Sequence, residues 1–202
     1  MKNMFKKMEK DSFYYGFPVV LMTTKDTENN KDNITVISST WTLGKSIVIG
    51  LGLANKGYLN LQVGSEATFN VADATIWKNI ERIAKTTGNF NLPDFKKQAG
   101  YEYCTDKFSL GGFTKMAGKE VQSVRIQECP IQIETSITEL SIRSDFAIIE
   151  CEIKGIFVDE KILYDDSHID VNNWSPLIYK FREYTTANQS LGTNFRFQEF
   201  KD

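Results

Sequence analysis

The chain is poor in the residues that carry most protein-side chemistry. Its 202 residues include three cysteines, one histidine and four prolines. Cys104, Cys129 and Cys151 are odd in number, far apart and without a C-x-x-C pair. That spacing argues against both a disulfide framework and a thiolate zinc site. Cys151 lies in the apolar run Phe146-Ala-Ile-Ile-Glu-Cys-Glu-Ile, which reads as a buried strand, so it is expected to pack as a small hydrophobe. Any Ser/His/Asp or Cys/His constellation would have to be built around His168, whose acidic flanks read as an exposed loop. Asp165, Asp166 and Asp170 match no calcium-loop spacing and read as solvated. Chemistry performed by this chain is therefore expected to reside in a cofactor.

Charge of one sign is lacking too. Lys and Arg number 24 against 26 Asp and Glu, a formal charge of −2, so no nucleic-acid partner is expected. No apolar run approaches the roughly 20 residues of a membrane span. The start, MKNMFKKMEKD, is basic but lacks the apolar stretch and cleavage site of a secretory signal. The expectation is a cytoplasmic protein without a membrane partner. No repeat, linker or low-complexity tract divides the chain, so 1–202 reads as a single domain.

What remains is 41% hydrophobic, 12% aromatic and rich in β-branched runs. Residues 17–24, 34–41, 46–53 and 66–71 read as four strands, with a polar turn over 26–33. The first three suggest an antiparallel meander. A short helix is predicted over 58–63, with Leu59 and Leu61 or Val63 inward. A second follows Asp73 or Thr75, with Ile76, Ile80, Ile83 and Ala84 on one face and Gly88 as its stop. Residues 89–119 look irregular apart from a short helix over 95–100, and so long a stretch usually serves a function or covers something. Three further strands are predicted over 120–127, 131–142 and 146–158, then an acidic loop over 159–173. The aromatic tail 177–184, with Phe195 and Phe197 beyond it, could cover a cleft or pack on a partner. The fold class is mainly β with α decoration, an antiparallel barrel of about seven strands.

Gly50-Leu-Gly-Leu-Ala-Asn55 fails as a dinucleotide fingerprint, because Asn55 stands at the third glycine position and no βαβ frame follows. Two other segments form a plausible ligand clamp. Thr35, Ser38, Ser39 and Thr40 crowd hydroxyls onto both faces of one strand, just before Trp41. One hairpin away, Asn55 and Lys56 offer an amide and a positive charge, beside a helix start at Tyr58. Together they could receive phosphate oxygens while Trp41 packs a flat ring.

These same segments carry a resemblance. Gly16-Phe-Pro-Val-Val-Leu-Met-Thr-Thr, Asn33-Ile-Thr-Val-Ile-Ser-Ser-Thr-Trp41 and Val48-Ile-Gly-Leu-Gly-Leu-Ala-Asn-Lys-Gly-Tyr-Leu-Asn-Leu61 resemble the flavin reductase-like, FMN-binding split-barrel family. Glu66-Ala-Thr-Phe-Asn-Val71, Ile83-Ala-Lys-Thr-Thr-Gly88, Gly100-Tyr-Glu-Tyr103, Asp106-Lys-Phe108 and Glu128-Cys-Pro130 extend it toward a flavoredoxin-like branch. The resemblance implies a Greek-key-like split β-barrel, a homodimer and noncovalent FMN, with NADH or NADPH as possible co-substrate and a small-molecule donor or acceptor. By position it places Thr35 and Ser38–Trp41 on the isoalloxazine and ribityl phosphate, with Asn55 and Lys56 at the phosphate. Tyr58 is included as a packing or contact residue. Many family members carry Arg directly before that tyrosine; here the position is Gly57, which shifts the clamp toward Lys56. The implied function is an FMN-dependent oxidoreductase, either a flavin reductase or an electron carrier. The alternative is a non-catalytic flavin-binding or flavin-carrier protein.

Overall fold

The computed structural model describes residues 4–193 apart from 11, 28, 167 and 188; Phe195 and Phe197 lie outside them. Strands β1 (Tyr15–Pro18), β2 (Val20–Asp26), β3 (Lys31–Ile37), β4 (Thr40–Leu43), β5 (Ser46–Gly52) and β6 (Glu66–Val71) come first. Two long strands follow, β7 (Ile131–Ile142) and β8 (Phe146–Val158). The order in the main sheet is β3-β2-β6-β7-β8-β5-β4, antiparallel throughout.

That order replaces the expected meander. The polar turn does join β2 to β3, but β3 and β4 occupy opposite edges of the sheet, with only Ser38 and Ser39 between them. Two residues span at most about 10 Å, so the edges must curl toward one another; Ser39 then leads into the β4–β5 ladder, its carbonyl accepting from the Gly50 amide at 2.8 Å. The strand expected over 34–41 is thus two strands broken at the seam.

Alternation along the strands fills the barrel. Ile47, Ile49 and Leu51 of β5 stand opposite Cys151, Ile149 and Ala147 of β8, all buried around Phe69 and Met22. Burial pushes the Cys151 thiol up to about 12, so it packs as the expected hydrophobe. Outside the barrel, Leu21 and Ile34 meet Ile80 and Ile83 of α2 (Trp77–Ala84) and Phe108. Asp73 caps the single 3-10 turn before α2, accepting from the Thr75 amide at 2.9 Å. The helix ends at Ala84, before the strand pairing of Thr86–Thr87 with Glu102–Tyr103, so Gly88 is not its stop. The helix expected over 58–63 is the single turn α1 (Lys56–Leu59), and Leu59 and Val63 face solvent while Tyr58 and Leu61 pack on the barrel core.

Two short helices, α3 (Asp94–Gln98) and α4 (Lys107–Gly111), punctuate the irregular stretch. The strand expected over 120–127 shrinks to Arg125–Ile126. Its amides are claimed by a side chain instead: fully buried Glu134 accepts from the backbone N–H groups of Lys119, Glu120 and Val121 at 2.6–3.2 Å. The acidic segment after β8 is not a plain loop, because Leu163–Asp165 pairs with His168–Ile169. His168 is largely covered there, its Nδ1 lying 2.7 Å from Asp165.

The aromatic tail folds back on its own chain. β9 (Leu177–Lys180) pairs with β1 and with β10 (Glu183–Thr186). Both residues of the tight turn between them, Phe181 and Arg182, sit at left-handed φ of 48° and 72°, a conformation that costs a residue with a side chain about 1–2 kcal/mol.

Candidate functional site

The seam between β3 and β4 opens into a cleft of about 400 Å³. Its floor is the outer face of β5, where Gly50 and Gly52 present no side chain. A Cβ on Gly50 would stand 3.4 Å from Ser39 Cβ, and one on Gly52 3.5 Å from Asn55 Nδ2, both ordinary contacts, so the glycines keep the floor flat and a longer side chain there would project into the cleft. Ser38 and Ser39 form one side. Tyr14, Tyr179 and Tyr184 form the roof, and the Tyr14 hydroxyl meets Ser39 Oγ at 2.9 Å. The tail therefore covers the cleft, the first of the two roles open to it.

Behind Asn55 lies a hollow of about 130 Å³ that shares Val36, Asn55, Ala84 and Tyr101 with the cleft and so adjoins it. Lys56, Lys96 and Lys107 converge on it, together with Thr35, Thr86 and Thr87. Lys56 pairs with Asp26 at 3.1 Å, which neutralises much of its charge. Lys96 reaches only neutral oxygens, the Ala54 carbonyl and Asn55 Oδ1, both at 2.9 Å. Lys107 donates to the Ile34 carbonyl at 2.7 Å. Both are 6% exposed, and neither is paired with a carboxylate among the described residues. Burial lowers the pKa of each, that of Lys107 to about 8. A buried ammonium without a counter-ion is costly; two around one hollow describe a receptor for an anion.

The eight residues singled out from sequence divide clearly. Ser38, Ser39 and Asn55 line the cleft, and Thr35, Asn55 and Lys56 line the hollow. Thr35 accepts from Asn33 Nδ2 at 3.1 Å, which leaves its own hydroxyl proton to donate inward. Thr40 pairs with Ile49 and faces the barrel, its buried Oγ1 without a partner among the described residues. Trp41 pairs with Val48 on the face that carries the glycine floor, yet it is 56% exposed and does not line the cleft. Tyr58 packs on the barrel core. The helix beginning at Lys56 is one turn long, too short for its dipole to hold an anion.

Gly57 also finds its reason. It is buried, and a Cβ there would drive into Thr35 Oγ1 and to 2.8 Å from Met22 Cε. An arginine at this position has no room, and the basic groups come from elsewhere. Lys96 and Lys107 escape sequence reading because they sit on the short helices of the irregular stretch, where no periodicity marks the inward face. One local signal exists: Asp106 caps α4 through the Ser109 amide at 3.0 Å, which fixes Lys107-Phe108 as the first, inward-turning residues.

No protein-family model matches the chain. The Bacillus subtilis (strain 168) protein YdfE, itself uncharacterized, is 37% identical over 195 residues, covering 95% of this chain and 94% of that one. Among solved structures, flavoredoxin of Desulfovibrio vulgaris (Miyazaki F) superposes with a TM-score of 0.79 at 22% identity, covering 96% of this chain and 100% of that one. Flavoredoxin from Methanosarcina acetivorans gives 0.78 at 15% identity, covering 98% of each chain. A Shewanella frigidimarina NCIMB 400 protein described as a flavin reductase with split barrel domain gives 0.68 at 17%, covering 89% and 86%. These likenesses establish the fold as that split barrel.

Proposed function

Because the chain belongs to the family of YdfE and has the flavin reductase-like split-barrel fold, we propose that it binds FMN and works as a flavin-dependent oxidoreductase. The observation that carries this reading is the pairing of a glycine-floored cleft with an adjoining hollow in which two buried lysines have no carboxylate partner among the described residues. A planar ring suits the former and a phosphate monoester the latter. Lys96, Lys107 and Lys56, with the Thr35 hydroxyl, would hold the phosphate. The Ser38 and Ser39 hydroxyls would donate to ring carbonyls, and Tyr14 and Tyr179 would keep water off the ring. Bound flavin would supply the hydride and electron transfer that no side-chain constellation here provides. NADH, NADPH or a redox protein serves as donor.

Titrating FMN into the purified chain and following the visible spectrum tests this directly. Saturable binding that NADH or NADPH then bleaches faster than free FMN is the expected result. Bleaching by dithionite alone would move the assignment to an electron carrier or a flavin-binding protein, and absence of any FMN binding would overturn it.

The proposed unit is a homodimer. Its face is the outer surface beside the cleft, where Trp41, Val48, Ile148 and Phe146 surround Gly50 and Gly52, with Trp41 and Phe146 56% and 41% exposed. Trp41→Glu is expected to convert a dimer into a monomer in sedimentation velocity. A wild-type monomer at tens of micromolar would remove the idea.

A further inference from the structure

The turn between β9 and β10 has an unusual composition for its shape. A two-residue turn with both residues left-handed ordinarily takes Asn-Gly, which adopts that shape without strain. Here it is Phe181-Arg182, at φ 48° and 72°. Strain held at a defined place directs attention to the side chains it displays. Phe181 and Arg182 form one wall of a cavity of about 880 Å³, and Lys10, Ser12 and Phe13 of the N-terminal arm form the facing wall.

The arm is fixed to the turn. The Phe181 amide donates to the Tyr14 carbonyl at 2.8 Å, and the rings of Phe13 and Phe181 meet edge-on with centroids 4.9 Å apart. Among the described lining residues two cations, Lys10 and Arg182, stand against one carboxylate, Glu9. Glu9 is engaged by Lys7 at 2.7 Å, whereas Lys10 and Arg182 make no ion pair among the described residues. The cavity thus combines aromatic walls with two cations that pair with no carboxylate among the described residues, one of them a guanidinium able to take a planar oxyanion in two hydrogen bonds.

We propose that this cavity binds a planar aromatic anion, with its ring against Phe13 and Phe181 and its carboxylate or phosphate on Arg182 and Lys10. Tyr14 and Tyr179 line both this cavity and the cleft, so two rings stand between them. That adjacency makes the anion the second substrate of the oxidoreductase, a role that rests on the flavin reading; the binding itself does not.

The test is calorimetric titration of the full chain with 2-naphthoate, without added flavin, alongside the neutral 2-naphthamide. Saturable naphthoate binding is expected, weakened about tenfold or more by Arg182→Gln and by loss of the ligand's charge. The double variant Phe181→Asn with Arg182→Gly gives the turn its preferred residues. It is expected to raise Tm while abolishing naphthoate binding, a combination that misfolding cannot produce. No saturable binding at millimolar naphthoate, equal affinity for the amide, or retained affinity in the double variant would each overturn the proposal. FMN titration of the same sample is read separately by absorbance, so failure of the flavin reading and failure of this site are told apart.

Discussion

Replacing Lys107 by methionine is expected to make the ligand-free chain more stable and its FMN affinity weaker. The side chain is 6% exposed and donates a hydrogen bond of 2.7 Å to the Ile34 carbonyl. Burial is the main cause that takes its pKa from 10.5 to about 8, with Lys96 adding to the effect and Cys104 opposing it. Holding it charged below pH 8 costs the fold about 3 kcal/mol. Methionine fills a similar volume without charge, and losing the bond to Ile34 offsets about 1 kcal/mol of the gain. Net stabilisation on the order of 2 kcal/mol follows, visible as a higher Tm. FMN should bind about 10- to 100-fold more weakly, since a charge-assisted bond to phosphate contributes about 1.5–3 kcal/mol. Riboflavin, which lacks the phosphate, should bind the variant and the parent alike; an equal loss for both ligands would move the phosphate away from Lys107.

The same lysine sets the direction of the pH dependence. Between about pH 8 and 10.5 the folded chain gives up the Lys107 proton while the unfolded chain keeps it, so ligand-free stability rises through that window. A bound phosphate favours the protonated form, so FMN affinity falls as pH rises above about 8. Lys96, lowered by burial as well, reinforces both trends, and the Lys107→Met variant should show each in reduced form.

Glu134→Gln is expected to destabilise the chain by about 3–5 kcal/mol, the cost of breaking a buried ion pair on one side. Glu134 is wholly buried, lies 3.3 Å from Arg125 Nε and gathers three consecutive backbone amides. Glutamine keeps the length but brings an amide group toward N–H donors and leaves the Arg125 guanidinium, itself 6% exposed, without its carboxylate. Chemical denaturation with FMN absent reads this directly. A loss below about 1 kcal/mol would show that the segment 117–125 is held by other contacts.

Glu134 also explains where sequence reading stopped. Strands whose partners are other strands were legible: β6, β7 and β8 lie where β-branched alternation puts them. The segment 120–127 has similar composition, but distant side chains take its amides, Glu134 those of Glu120 and Val121, Glu66 that of Gln122 and Asn70 that of Ile126, and no local pattern announces that. Likewise Ser38 and Ser39 were legible as an anomaly, because paired hydroxyls break strand alternation where the chain leaves one sheet edge for the other. Lys96 and Lys107 were not, since a lysine inside a short helix looks like any solvated lysine until the hollow it faces is assembled. Trp41, attractive by type, follows the pleat to the outer face.

The seam has a consequence for how the barrel comes apart. Every other join in the main sheet is a full ladder, whereas the two edges meet at the seam through the two-residue crossing Ser38–Ser39, braced by the Tyr14–Ser39 bond. Opening there exposes few core residues, so it should be among the cheapest sub-global fluctuations. A molecule lodged in the cleft, touching Val36 and Ile37 of β3 on one edge and Ser39 and Gly50 beside the other, would act as a clasp. Amide exchange at the seam would then slow far more on loading than exchange in the barrel's interior ladders, whose protection is already set by global unfolding.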